Sequence, residues 1–154
     1  MLLARRASAR PLDSILMRYA LILIGSAMLA ALATIARADT VIADGVISTS
    51  LVRVLAHPDQ YKGKRIELIG YYVSEFEHHA LYLTKDDPEV GNIQNGIWVG
   101  GAAPDVDKTK INTRVKRGFV RVIGTFTYDP KGGSGHLGMW PAEINNVTFL
   151  NTTR

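Results

Sequence analysis

Two stretches of the chain share one pattern of hydrophobic and polar positions. Ile66-Glu67-Leu68-Ile69-Gly70-Tyr71-Tyr72 and Val120-Arg121-Val122-Ile123-Gly124-Thr125-Phe126 both run apolar, charged, apolar, Ile, Gly, any residue, aromatic. Period-two alternation predicts a strand in each, the first spanning Arg65 to Phe76. A Gly inside a strand marks a bulge or bend, which lets one long strand serve both halves of a small barrel. Between the two lie Ala80 to Thr84 (ALYLT) and Ile97 to Val99 (IWV), read as short strands, and after them Ala142 to Leu150 (AEINNVTFL), read as a last one. Upstream, Ser48-Thr49-Ser50 offers three N-caps ahead of Leu51, Val52, Val54 and Leu55, and His57-Pro58 stops the helix after about two turns. Residues 58–64 read as turn chemistry, with Gly63 free to take a positive φ. The Lys-rich stretch from Lys108 to Arg117 is open to a second short helix. The expected fold is mainly β, a five-stranded OB-type barrel with one or two short helices; a small β-sandwich is the competitor.

Nearer the N-terminus the pattern changes. Tyr19 to Ala36 (YALILIGSAMLAALATIA) is uncharged throughout, with Arg18 before it and Arg37-Ala38-Asp39 after. The small-x-small triplet Ala36-Arg37-Ala38 predicts a signal peptide cut between Ala38 and Asp39. The domain organisation is then a signal segment at 1–38 and one OB-type domain at 39–154. Eighteen apolar residues also reach the low edge of a membrane span, so an uncleaved inner-membrane anchor is the second reading. Both readings place the domain outside the cytoplasm, periplasmic or extracellular, with membrane contact only through the leader. A signal peptide beginning at Met17 would already be complete with Arg18 as its positive end, so residues 1–16 read as either a mis-called extension or an extended n-region. The Arg5-Arg6 pair lies far from the apolar run, which speaks against a twin-arginine signal.

Charge follows the same division. Of the 154 residues, 18 are Lys or Arg and 14 are Asp or Glu, a formal +4. Arg5, Arg6, Arg10, Arg18 and Arg37 precede Asp39 with Asp13 as the sole acid, so the whole excess sits in the leader and the remainder balances. A globally basic surface for a polyanion is excluded, and no nucleic-acid partner is expected. The absence of Cys removes disulfides, thiolate metal sites, a cysteine nucleophile and a lipid-modified N-terminal Cys.

The segments LVRVLAHPDQYKGKRIELIGYY, EFEHHALYLTKDD, NGIWV, GFVRVIGTFTYD and HLGMWPAEINNVTFL resemble small exported bacterial proteins with OB-type domains. The resemblance covers most of residues 49–150, and its most specific part is the hairpin from Glu75-Phe76-Glu77 to Leu83 together with Gly96-Ile97-Trp98. It implies an OB domain and an exported setting, and it lends no catalytic residue. Where such proteins often turn this hairpin with a Gly-Asn type pair, His78-His79 stands here.

OB domains bind through the loop joining their first two strands and the loop joining strands four and five. The first carries Glu77, His78 and His79; the second, residues 129–138, carries Lys131, Gly133 and His136. His78, His79, His136 and Glu77 together would suit one Zn²⁺ or Cu²⁺. The simpler reading is solvent-facing residues, since adjacent His point to opposite sides of an extended strand and no ligand spacing is present. The Gly-rich loop with Lys131 offers a phosphate cradle, but it matches no P-loop and reads as a flexible connector. Lys108, Lys110, Arg114, Lys116, Arg117 and Arg121 form an acid-free basic run that could meet phosphates, with Tyr71, Tyr82, Trp98 and Phe119 as stacking surfaces; the competing reading is a solvated face with the aromatics in the core. Asp86-Asp87-Pro88-Glu89 reads as a helix N-cap rather than a calcium site. There is no GxSxG elbow and no HExxH.

The expected function is a non-enzymatic, cofactor-free exported binding module contacting a small ligand, glycan or envelope protein. Its candidate ligand-binding residues are Lys131, Gly133, His136, Tyr71 and Trp98. The alternative is a metal- or pH-responsive envelope factor using His78, His79 and His136 with Glu77.

Overall fold

The computed structural model describes residues 39–153, so the expected signal segment, the expected cleavage site and the expected Met17 start lie outside the described residues. In chain order the elements are β1 (Thr40–Val41), β2 (Ile47–Ser48), α1 (Leu51–Ala56), α2 (Pro58–Tyr61), β3 (Arg65–Glu75), β4 (His78–Tyr82), β5 (Gly96–Val99), β6 (Arg117–Thr127) and β7 (Glu143–Thr152). Five strands close a barrel in the order β3-β4-β5-β7-β6, with β6 pairing back onto β3. Neighbours are antiparallel except β5 and β7, which run parallel with Trp98 beside Glu143. The two short strands stand outside the barrel, β2 running parallel to β3. This is the five-stranded OB-type barrel expected from the alternation. Among the described residues no helix is long and apolar enough to cross a membrane.

The alternation explains the closure. Ile66, Leu68 and Tyr72 of β3, Val120, Val122 and Phe126 of β6, Leu81 of β4, Ile97 and Val99 of β5, and Ile144 and Leu150 of β7 form one buried cluster. Each fully buried side chain of this size contributes roughly 1.5–3 kcal/mol relative to exposure. The helix α1 adds Leu51 and Val54, and Tyr61 of α2 joins them. Ser50 caps α1 by accepting the Arg53 N–H. Pro58 ends α1 as expected but also opens α2, where its missing N–H costs nothing. The Tyr61 hydroxyl and the Thr49 hydroxyl both donate to the Asp39 carboxylate, which also pairs with Arg53 at 2.5 Å, so the first described residue is tied to both helices.

Three local expectations are corrected. Gly70 brings no register shift, since β3 and β6 pair without interruption from Arg65–Thr125 to Val73–Arg117. Its role is close approach: a Cβ there would lie 2.7 Å from Leu81 Cγ and 2.8 Å from the Tyr82 carbonyl oxygen. The irregularity sits instead at the second of the paired glycines, between Ile123 and Thr125 against β7. Residues 108–117 do not form a helix; Lys108–Lys110 makes a single 3-10 turn capped by Asp107, after which Ile111 bridges to Leu150 and Arg117 opens β6. In the Asp86-Asp87 pair the organising carboxylate is Asp87, and it holds a loop rather than a helix. Asp87 is 94% buried, being 6% exposed, and accepts from the Thr84 N–H and hydroxyl and from the Asn92 and Asn95 amides.

Candidate functional site

The turn from β3 into β4 is Glu75-Phe76-Glu77, not the His pair, with Glu77 in the left-handed region at φ 55°. His78 and His79 therefore lie on β4 and alternate between its faces, the consequence of period-two geometry. His78 shares the outer face with Ala80 and Tyr82. Its Nε2 and the Tyr82 hydroxyl are hydrogen-bonded at 2.7 Å, and its ring lies 5.4 Å from the Trp140 ring. His79 sits opposite Ser74, with Nδ1 3.2 Å from the Ser74 hydroxyl, and its ring meets the Trp98 indole edge-on at 5.7 Å.

The loop between β6 and β7 folds back over the outer face of β4 and β5. A bridge between Ser134 and Trp140 closes its inner part, and Trp140 packs among Val73, Ala80 and Tyr82 with Tyr71, Ile93 and Trp98 at the margin. The Trp98 and Trp140 rings are 4.9 Å apart. Gly135, at φ +68°, lies so close to Trp98 that a Cβ would come within 2.4 Å of the indole. Gly133 faces Gly138 even more closely, a Cβ there falling 1.6 Å from the Gly138 carbonyl oxygen. These glycines are required by backbone approach, which gives Gly133 a structural reason beside any ligand. His136 Nε2 then meets Glu77 Oε2 at 3.2 Å, so the two loops are linked across the barrel.

Burial pushes the His78 imidazole below its usual value, with Arg117 and His79 acting in the same direction and Glu75 partly opposing. Burial likewise raises the Tyr82 hydroxyl. Glu75 is held below the usual carboxylate range by its hydrogen bond from Arg117, whose guanidinium also engages Glu89. The Trp140 indole N–H is buried without a hydrogen-bond acceptor in normal geometry, although it lies close enough to the Tyr82 oxygen to favour that group's ionised form.

Of the expected ligand-binding residues, Trp98 is approached by Gly135, the neighbour of His136 in the loop, while His136 itself meets Glu77, and Tyr71 flanks the same aromatic cluster while stacking edge-on with Phe119 at 5.5 Å. Lys131 and Gly133 lie exposed on the loop, the Lys131 N–H donating to Asp129. Of the four residues expected around a metal, Glu77 and His136 meet, whereas His78 and His79 face opposite sides of β4. Among the described residues no group of three or more His, Cys, Asp or Glu is placed to hold a metal ion. The basic run is divided: Arg117 is paired with Glu75 and Glu89, and Arg121 lies 3.7 Å from Glu67. Tyr82 is fully buried and offers no stacking surface.

Sequence reasoning missed Trp140, whose place depends on a loop returning across the barrel. It also missed the exposed tips, Phe76 at 91% exposure and Leu137 at 81%, with Met139 partly exposed nearby in sequence. The available signal was a large apolar residue standing alone inside a turn. Compared with known proteins, the chain matches no family model, no curated protein and no solved structure.

Proposed function

We propose that the protein is a non-enzymatic, exported binding module that contacts an envelope protein through the turn at 75–77 and the loop at 128–142. It belongs, in this reading, with the small exported bacterial OB-type proteins its segments resemble. The observation that carries it is the linkage of the two loops by Glu77 and His136, each directly beside an exposed apolar residue, Phe76 and Leu137. Exposed apolar residues gathered on one surface mark sites of association. A protein partner is favoured over a small ligand or glycan because Trp98 and Trp140, the natural stacking platform, are already packed by the protein's own loop.

The test is photo-crosslinking in the native cell, with a photoreactive residue at position 76, 137 or, as control, Val52 on α1. Adducts of one common mass from 76 and 137, absent from 52, are expected. Absence of a discrete adduct from both loops, or the same adduct from Val52, overturns the proposal.

A further inference from the structure

A cavity of about 330 Å³ opens at the barrel end formed by Ser74 of β3, His79 of β4 and Val99 of β5, under the chain between residues 111 and 116. Its existence follows from the sequence of that segment: with one 3-10 turn in place of a helix, the irregular chain crosses the barrel end without filling it. The volume lies at the lower end of small-molecule sites and equals that of about eleven waters at ~30 Å³ each.

The walls have two characters. Val99, Val115, Val147 and Leu150 are core residues that present an apolar interior. The polar lining comprises the Ser74–His79 hydrogen-bonded pair with the Tyr72 hydroxyl beside Ser74, and Asn112, Thr113 and Lys116. Within the segment between residues 111 and 116 the Asn112 amide is already committed, donating to Asn151 and accepting the Arg114 N–H, so Thr113 and Lys116 hold that segment's uncommitted side-chain donors among the described residues. Lys116 is exposed and forms no ion pair among the described residues, and the same holds for Lys108 and Arg114, which line an adjoining depression sharing Ile111, Asn112 and Thr113. The one acid of this segment's 3-10 turn, Asp107, is occupied by the Thr109 N–H and hydroxyl. An apolar interior with unpaired cations at its rim complements a small molecule with an apolar body and one anionic head.

We infer that the barrel end binds a small amphipathic monocarboxylate, its apolar body between Val99, Val147 and Leu150 and its carboxylate at Lys116 and Thr113. The site adjoins the β3–β4 turn through Ser74 and His79 but is lined by neither Phe76 nor Leu137, so the inference is tested independently of the proposed partner.

Benzoate, with benzamide as its uncharged counterpart, provides the probe, titrated into ¹⁵N-labelled protein produced from the full chain. Saturable shifts centred on Ser74, His79, Gly100, Thr113 and Val115 are expected, with benzamide at least fivefold weaker. Lys116→Gln is expected to weaken benzoate at least fivefold, and Thr113→Tyr, which fills the rim, to abolish the shifts; both positions are exposed, so folding is preserved. Absence of saturable shifts, shifts confined to other parts of the barrel, equal binding of benzamide, or unchanged affinity in both variants overturns the inference. The crosslinking outcome at positions 76 and 137 is unaffected by any of these results.

Discussion

The Glu77 carboxylate and the His136 imidazole meet at 3.2 Å, joining two loops that belong to opposite ends of the barrel's sequence. Both groups are substantially exposed, at 50% and 33% of their side-chain surface, so the contact is a latch rather than a source of stability. Glu77→Gln or His136→Ala should lower global stability by less than about 1 kcal/mol. Amide exchange across residues 134–140 should nevertheless quicken. A global loss above about 2 kcal/mol in denaturant melts, or unchanged exchange in the loop, would show that the link is not a local latch.

His78 gives the protein a spectroscopic response to acid. Both tryptophans of the chain contact a histidine ring, Trp140 with His78 and Trp98 with His79. The His78 pKa is depressed by burial, so the folded protein resists its protonation. The associated stability is fully present above the unfolded value of about 6.5 and is lost as pH falls through the lower folded value. Stability should therefore decline below about pH 6.5 with the His78 contribution absent from His78→Phe. Tryptophan emission should fall over the same acidic window, and a variant profile identical to wild type in both readouts would assign the effect elsewhere.

Gly135→Ala tests the seating of the loop on Trp98. The substitution places a Cβ 2.4 Å from the indole in a residue already at φ +68°, so backbone strain and steric overlap act together. The loop should lift, with red-shifted tryptophan emission and a stability loss of about 1–3 kcal/mol. Unchanged emission would mean that Trp98 is not covered.

The Asp87 carboxylate is the hub of the segment between β4 and β5. Burial raises its pKa, but hydrogen bonds from Thr84, Asn95 and Asn92 outweigh that effect and leave it lowered. Its stabilising contribution is present above the unfolded carboxylate value of about 3.9 and is lost as pH falls through the lower folded value. Asp87→Ala strands four donors and should cost about 2–4 kcal/mol, measured by urea denaturation. A cost under about 0.5 kcal/mol would show that water satisfies those donors equally well.

The barrel was legible because strand alternation is local and strong: Ile66/Leu68 and Val122/Phe126 mark their buried faces within a few residues. The hairpin turn was misplaced because Glu77 adopts a left-handed conformation without a glycine to announce it, leaving His78-His79 as the apparent turn. The segment from Lys108 to Arg117 has helix-favouring lysines, yet Ile111 is drawn into a bridge with Leu150 that no helix would allow. The roles of Gly70 and Gly135 depend on Leu81, Tyr82 and Trp98, contacts that only the closed barrel creates. Two-loop convergence was legible at the level of topology, whereas the packing of Trp140 over Ala80 and the apolar tips at Phe76 and Leu137 required the folded chain.

The central claim is that the turn at 75–77 and the loop at 128–142 form one joined surface over the aromatic face of β4 and β5. A two-dimensional NOE spectrum of the protein tests it most directly. Cross peaks from Gly135 Hα to the Trp98 indole and from the Trp140 ring to the Ala80 methyl are predicted, with Gly135 Hα shifted upfield by the ring it covers. Absence of both cross peaks, with Gly135 Hα at its random-coil position, would contradict the joined surface and with it the binding role assigned to these loops.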